Sequence, residues 1–133
     1  MKNSVKSYLE TQKYVVEDVG TYNIQSCDYP DIAAKVCQKV LSGECEKGIV
    51  LCGTGIGISI AANKIKGIRC ALCHDHYTAC MAVQHNNANV LAMGGRTTGI
   101  EVAKEIADAF LTEKPDPAPK HTQRITKLHS LEN

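Results

Sequence analysis

An apolar run, Gly48-Ile49-Val50-Leu51, leads directly into Cys52-Gly53-Thr54-Gly55-Ile56-Gly57, and a helical pattern follows at once. Strand, alternate-glycine turn and helix in unbroken succession constrain this chain more than any other feature. The arrangement puts a thiol at the carboxyl end of a buried strand, with a helix N-terminus behind it. Backbone N–H groups at such a turn point into the crevice, and the helix dipole favours negative charge there. The same field favours an anionic sulfur, so Cys52 is placed to act as a base or nucleophile. A lone Cys-Gly would read as a buried cysteine beside a tight turn. Three alternate glycines and a following helix shift the reading to a ligand-anchoring loop.

Strand and helix patterns alternate along the rest of the chain. Helices are expected over residues 4–13, from about Pro30 to Leu41 with Asp28 as cap, over 56–65, from Asp75 to about Gln84, over 99–111 and over 122–131. Strands are expected over 14–17, 47–52, 68–73 and 89–93, with a polar loop over 20–29. Pro115, Pro117 and Pro119 make a stiff extended spacer before the last helix. Near-continuous apolar strands that alternate with helices predict one domain over 1–133, a parallel α/β sheet covered on both faces.

The chain carries 15 Lys plus Arg against 14 Asp plus Glu, a formal charge of +1, with no basic block. That balance gives no nucleic-acid footprint. No apolar segment approaches the ~18 residues that span a bilayer. The start, Met1-Lys2-Asn3-Ser4, lacks a secretory apolar region, so a cytoplasmic protein is the expectation. Cys27, Cys37, Cys45, Cys52, Cys70, Cys73 and Cys80 are odd in number, which argues against a disulfide framework. Cys70-Ala71-Leu72-Cys73-His74 formally matches a haem-attachment pattern. Strand alternation would send Cys70 and Cys73 to opposite faces, so they are expected to be plain thiols, with no metal or cofactor.

Ligands of doubly wound sheets sit outside the carboxyl ends of the strands. Three such ends carry chemistry here: residues 52–57, His74-Asp75-His76, and Gly94-Gly95-Arg96. A fourth group, His85-Asn86-Asn87, is expected between a helix end and the next strand. A lone histidine is more often structural, but in a polar turn its imidazole could reach a ligand.

The block Cys52-Gly53-Thr54-Gly55-Ile56-Gly57-Ile58-Ser59-Ile60-Ala61-Ala62-Asn63-Lys64 is joined by Gly67-Ile68-Arg69 and by His85-Asn86 through Asn89-Val90-Leu91-Ala92. Together with Asp18-Val19-Gly20-Thr21 and Asp28-Tyr29-Pro30, these pieces resemble type B ribose-5-phosphate isomerase over nearly the whole chain. The wider family includes galactose-6-phosphate isomerase subunits and allose-6-phosphate isomerases. Cys52 and His85-Asn86 on one chain look more like the ribose enzyme. The resemblance implies a Rossmann-like, three-layer α/β/α fold and an aldose–ketose isomerisation in the pentose phosphate pathway, with no cofactor.

It also implies roles. Cys52 matches the base of the cysteine-using branch, since Ile58 stands where the other branch has glutamate. Gly53, Gly55 and Gly57 match the anion-stabilising loop through their N–H groups, and Thr54 through its hydroxyl. His85 matches the ring-opening acid–base residue, with Asn86 beside it. Arg96, Lys120 and Arg124 match phosphate-region positions, Lys120 replacing the usual arginine and losing its bidentate fork. Some of these residues reach the partner subunit's site in the family, which implies a homodimer or a dimer of dimers with shared active sites.

The family begins with a strand that ends in an Asp-His pair, and this chain starts at what reads as the first helix. The expectation is an unpaired gap between 14–17 and 47–52, with weakly cooperative melting, little activity, and rescue by an upstream strand. Two other readings stay open: a non-catalytic phosphosugar-binding relative, and an isomerase of a six-carbon sugar phosphate such as allose or galactose 6-phosphate. A nucleotide module fits less well, because the loop lacks a Walker ending and no acidic residue suits a dinucleotide ribose.

Overall fold

The computed structural model describes residues 1–20 and 28–132. Most of the expected 20–29 loop, with Thr21 and Cys27, lies outside the described residues. In chain order the elements are α1 (Lys2–Thr11), α2 (Tyr29–Leu41), β1 (Gly48–Cys52), α3 (Ile56–Asn63) and β2 (Cys70–Leu72). There follow α4 (His76–Asn86), β3 (Val90–Gly94), α5 (Ile100–Thr112) and α6 (Pro119–His129). The strands form one parallel sheet in the order β1-β3-β2. Gly48 stands opposite Val90 and Cys52 opposite Gly94, so the carboxyl ends of β1 and β3 are level.

The central strand explains the layering. β3 is buried along its whole length and carries apolar residues on both faces. Leu91 and Met93 pack with Val5 and Leu9 of α1, Val83 of α4 and Phe110 of α5. Val90 and Ala92 pack with Ala33 and Cys37 of α2 and Ile58 of α3. Alternation along the strand thus divides the core in two, with helices on both faces. This is the expected three-layer α/β/α, Rossmann-like sheet. Cys70 joins the second cluster and Cys73 the first, on opposite faces as expected. Burial pushes their thiols up, to about 12 and about 11.

Two expectations fail. Residues 14–17 form no strand. An extended segment becomes a strand only by sharing a ladder, and among the described residues β1 pairs with β3 alone. Between 14–17 and β1 lies a cavity of about 1010 Å³, lined by Val5, Val16, Ile49 and Leu51 among others. The expected gap is therefore present, and Val15 is left fully exposed beside it. The second correction concerns α4, which runs on to Asn86, so His85 and Asn86 occupy its last turn and not a polar loop. Asn87, left-handed at φ 44°, ends the helix. Pro119 likewise opens α6 three residues early, because proline suits the first helical turn. No described helix is long and apolar enough to cross a membrane.

Asn89 ties together the starts of all three strands. Its Oδ1 accepts from the Arg69 N–H at 2.7 Å and its Nδ2 donates to the Gly67 carbonyl at 2.9 Å. The Gly48 N–H donates to the Asn89 carbonyl at 3.0 Å. Asn89→Ala leaves two backbone groups without their side-chain partner. Urea titration should show a loss of roughly 1–3 kcal/mol, the usual cost of an unmet buried polar group.

Candidate active site

The loop after β1 is shaped by close backbone contact with the end of β3. The Gly95 N–H donates to the Cys52 carbonyl at 2.8 Å, and the Arg96 N–H to the Gly53 carbonyl at 2.9 Å. Gly55 is left-handed, at φ 78°. A Cβ on Gly55 would stand 2.8 Å from the Met93 carbonyl carbon, and one on Gly94 would stand 2.6 Å from that of Thr54. Only glycine meets both demands at Gly55, conformation and contact. This turn aims the Gly55 N–H at the Cys52 Sγ, 3.1 Å away.

Thr54 lies exposed, and its Oγ1 accepts from the Ile56 N–H at 3.2 Å, just ahead of Gly55 at the start of α3. The first-turn N–H groups of a helix have no carbonyl of their own helix to meet. In α3 those groups include Gly57, and the turn carries no acidic residue. Arg96 brings a cation to the same mouth, its Cδ 3.6 Å from where a Cβ of Gly53 would be. The arrangement suits an anion, or an oxygen that becomes one during reaction.

Among the described residues, the Cys52 sulfur is the one that accepts a backbone N–H. At the end of β2 the expected chemistry is taken up by structure. Asp75 caps α4, with Oδ1 accepting from the Thr78 N–H at 2.7 Å, and that bond holds its carboxyl below the usual range. His76 faces Cys80 at 3.4 Å and Glu105 at 3.8 Å.

The remaining candidates gather elsewhere. His85 and Asn86 end α4, while Lys120 and Arg124 lie exposed on α6, which packs against α4. Because α4 returns the chain from the carboxyl end of β2 to the amino end of β3, this second group lies at the opposite edge of the sheet from Cys52. A five-residue parallel strand is roughly 13–16 Å long, so the two groups do not form one site within a single chain. Sequence reasoning missed His121 and Asp116. His121 is buried, stacks on His85 at 4.5 Å between ring centroids, and meets Asp116 at 3.3 Å. Nothing local signalled this, because only the packing of α6 on α4 brings His121 to His85.

The parallel sheet, the glycine-rich turn and the strand-end thiol define a Rossmann-like α/β protein with a glycine-rich loop at the carboxyl end of its sheet. The ribose/galactose isomerase family model matches residues 1–128, and the chain belongs to that family. It is 42% identical over 132 residues to ribose-5-phosphate isomerase B of Escherichia coli, covering 99% of this chain and 88% of that one. It is 46% identical over 131 residues to the galactose-6-phosphate isomerase subunit LacB of Clostridium acetobutylicum, covering 98% and 76%. The structure of Clostridium thermocellum ribose-5-phosphate isomerase B superposes with a TM-score of 0.95 at 45% identity, over 98% of this chain and 87% of that one. This chain is accordingly a sugar phosphate isomerase of the family.

Gly55→Ala tests the loop geometry. A β-carbon there meets a left-handed backbone and the wall of β3 together, so thermal or urea melts should show a loss of about 1–3 kcal/mol, the range for a strained backbone position. Gly43→Ala is the control: its φ is equally positive, at 84°, but nothing stands within 4 Å. Its melt should fall by less.

Proposed function

We propose that the chain interconverts ribose 5-phosphate and ribulose 5-phosphate, a step of the pentose phosphate pathway, in the cytoplasm. The observation that carries this reading is the Cys52 sulfur, held at a strand end by the Gly55 N–H at 3.1 Å and facing a helix N-terminus. Cys52 as thiolate takes the proton from C2 of the open-chain aldose. The electron pair moves into the C1–C2 bond and charge develops on the C1 oxygen, giving an enediolate. N–H groups of Gly53, Gly55 and Gly57, with the Thr54 hydroxyl, stabilise that oxyanion. The C2 hydroxyl proton passes to the C1 oxygen, and the thiol returns its proton to C1 as the ketone forms at C2, which regenerates the thiolate. Arg96 supplies positive charge beside the loop.

His85 opens the furanose ring, assisted by Asn86, and Lys120 and Arg124 hold the phosphate. In one chain these four lie at the far edge of the sheet from Cys52. That separation supports a site shared between two copies, in a homodimer or a dimer of dimers, each copy lending its α4–α6 corner to its partner's loop. Similarity to a galactose-6-phosphate isomerase subunit favours a second substrate, galactose 6-phosphate, which the same assays should include.

Cys52→Ala and Cys52→Ser should nearly abolish isomerisation and leave phosphosugar binding within a few-fold, because the sulfur moves a proton and does not anchor the substrate. Exchange of solvent deuterium into C2 should vanish with the rate. Turnover near the unsubstituted rate would remove Cys52 from the mechanism, and turnover of galactose 6-phosphate alone would move the substrate to six carbons.

The shared site has its own test. Cys52→Ala and His85→Asn chains should each be inactive, and after subunit exchange their mixture should recover roughly a quarter of full activity. Half of the dimers are then mixed, each with one intact site of two. No recovery after proven exchange would return both residues to a single-chain site.

A further inference from the structure

The corner where α6 meets α4 contains more order than an exposed acid–base residue needs. His85 is exposed, yet one face of its ring lies against His121, with centroids 4.5 Å apart and planes within 10°. His121 is only 6% exposed. Its Nε2 lies 3.3 Å from the Asp116 Oδ2. Asp116 is itself fixed twice. The Ala118 N–H donates to its Oδ1 at 2.9 Å, and its own N–H donates to the Gln84 carbonyl at 2.9 Å. The first of these bonds, with smaller contributions from His121 and Lys120, holds the Asp116 carboxyl below the usual carboxylate range. Its oxygens are therefore acceptors, and Nε2 of His121 donates the hydrogen between them. Pro115 and Pro117 flank Asp116 and restrict its backbone further.

The outer torsion of a histidine side chain is broad, so an exposed imidazole samples many ring planes. Acid–base transfer runs through a ring nitrogen in that plane, and its rate depends on direction. A neighbour stacked on the face restricts the plane and leaves both nitrogens available. A hydrogen-bonded neighbour would have occupied one of them.

We propose that His121, held by Asp116, is a positioning residue that fixes the ring plane of His85. The catalytic part rests on the reading of His85 as the ring-opening group; the orienting part does not.

Proton NMR and steady-state kinetics on the full chain test the two parts separately. The His85 ring protons, assigned by their loss in His85→Asn, should be shifted upfield by the ring current of His121. They should return to ordinary positions in His121→Ala and stay shifted in His121→Phe, which keeps a flat ring but not the Asp116 bond. In kinetics, His121→Ala should lower kcat on ribose 5-phosphate roughly tenfold, as for a misdirected catalytic group, with KM within about twofold. The loss on open-chain ribulose 5-phosphate should be smaller. His121→Phe should recover most of the rate, and Asp116→Asn should fall between.

Absence of the upfield shift in the unsubstituted chain would overturn the proposal. So would an unchanged kcat in His121→Ala once that shift is lost, or a rise in KM alone, which would make His121 a binding group. If neither pentose phosphate is turned over, the reading of the reaction fails, and the ring-proton shifts still decide whether His121 orients His85.

Discussion

Backbone meets backbone where the loop after β1 crosses the end of β3, and the arrangement of the strand-end site follows from that contact. Gly55 and Gly94 leave no room for a side chain between the two segments. The bonds from Gly95 and Arg96 to the carbonyls of Cys52 and Gly53 extend the parallel ladder beyond its last paired residues. A loop anchored in this way cannot drift, so the Gly55 N–H stays aimed at the Cys52 sulfur and α3 starts where its N-terminus faces the same space. Register has a part as well. Because Cys52 stands level with Gly94, Arg96 emerges beside the loop and not below it.

The sheet also separates the chemistry into two groups. Parallel strands place every βα turn at one edge and every αβ turn at the other. Cys52, Thr54 and Arg96 belong to the first edge, His85 and Asn86 to the second. α6 adds its buried histidine and exposed cations to that second edge by packing on α4. In the proposed reaction each edge has half of what an aldose–ketose isomerisation requires: one moves the proton between carbons, the other opens the ring and holds the phosphate. Symmetric pairing brings two unlike edges together without further chain, and this is why the proposed site joins copies.

Much of the fold was legible in the residues. Continuous apolar strands with helical stripes between them specify parallel strands covered on both faces, and β3 is buried accordingly. The failures have physical causes. Residues 14–17 have the β-branched character of a strand, but strand formation is a property of a pair, and among the described residues a cavity separates that segment from β1. The expected end of α4 at about Gln84 falls short because His85, Asn86 and Asn87 read as a polar turn. The helix continues two residues further, to the left-handed Asn87 that ends it.

The sequence by itself determined the strand–turn–helix unit, the glycine-rich turn within it, the thiol at the strand end and the family to which these belong. Each is a local matter of backbone sterics and residue order, readable within a dozen positions. The tertiary structure alone decided that Cys52 and His85 lie at opposite edges of the sheet and that His121 and Asp116 stand behind His85. These depend on which elements pack against which. That is set by burial summed over the whole core, and no short stretch of sequence records it.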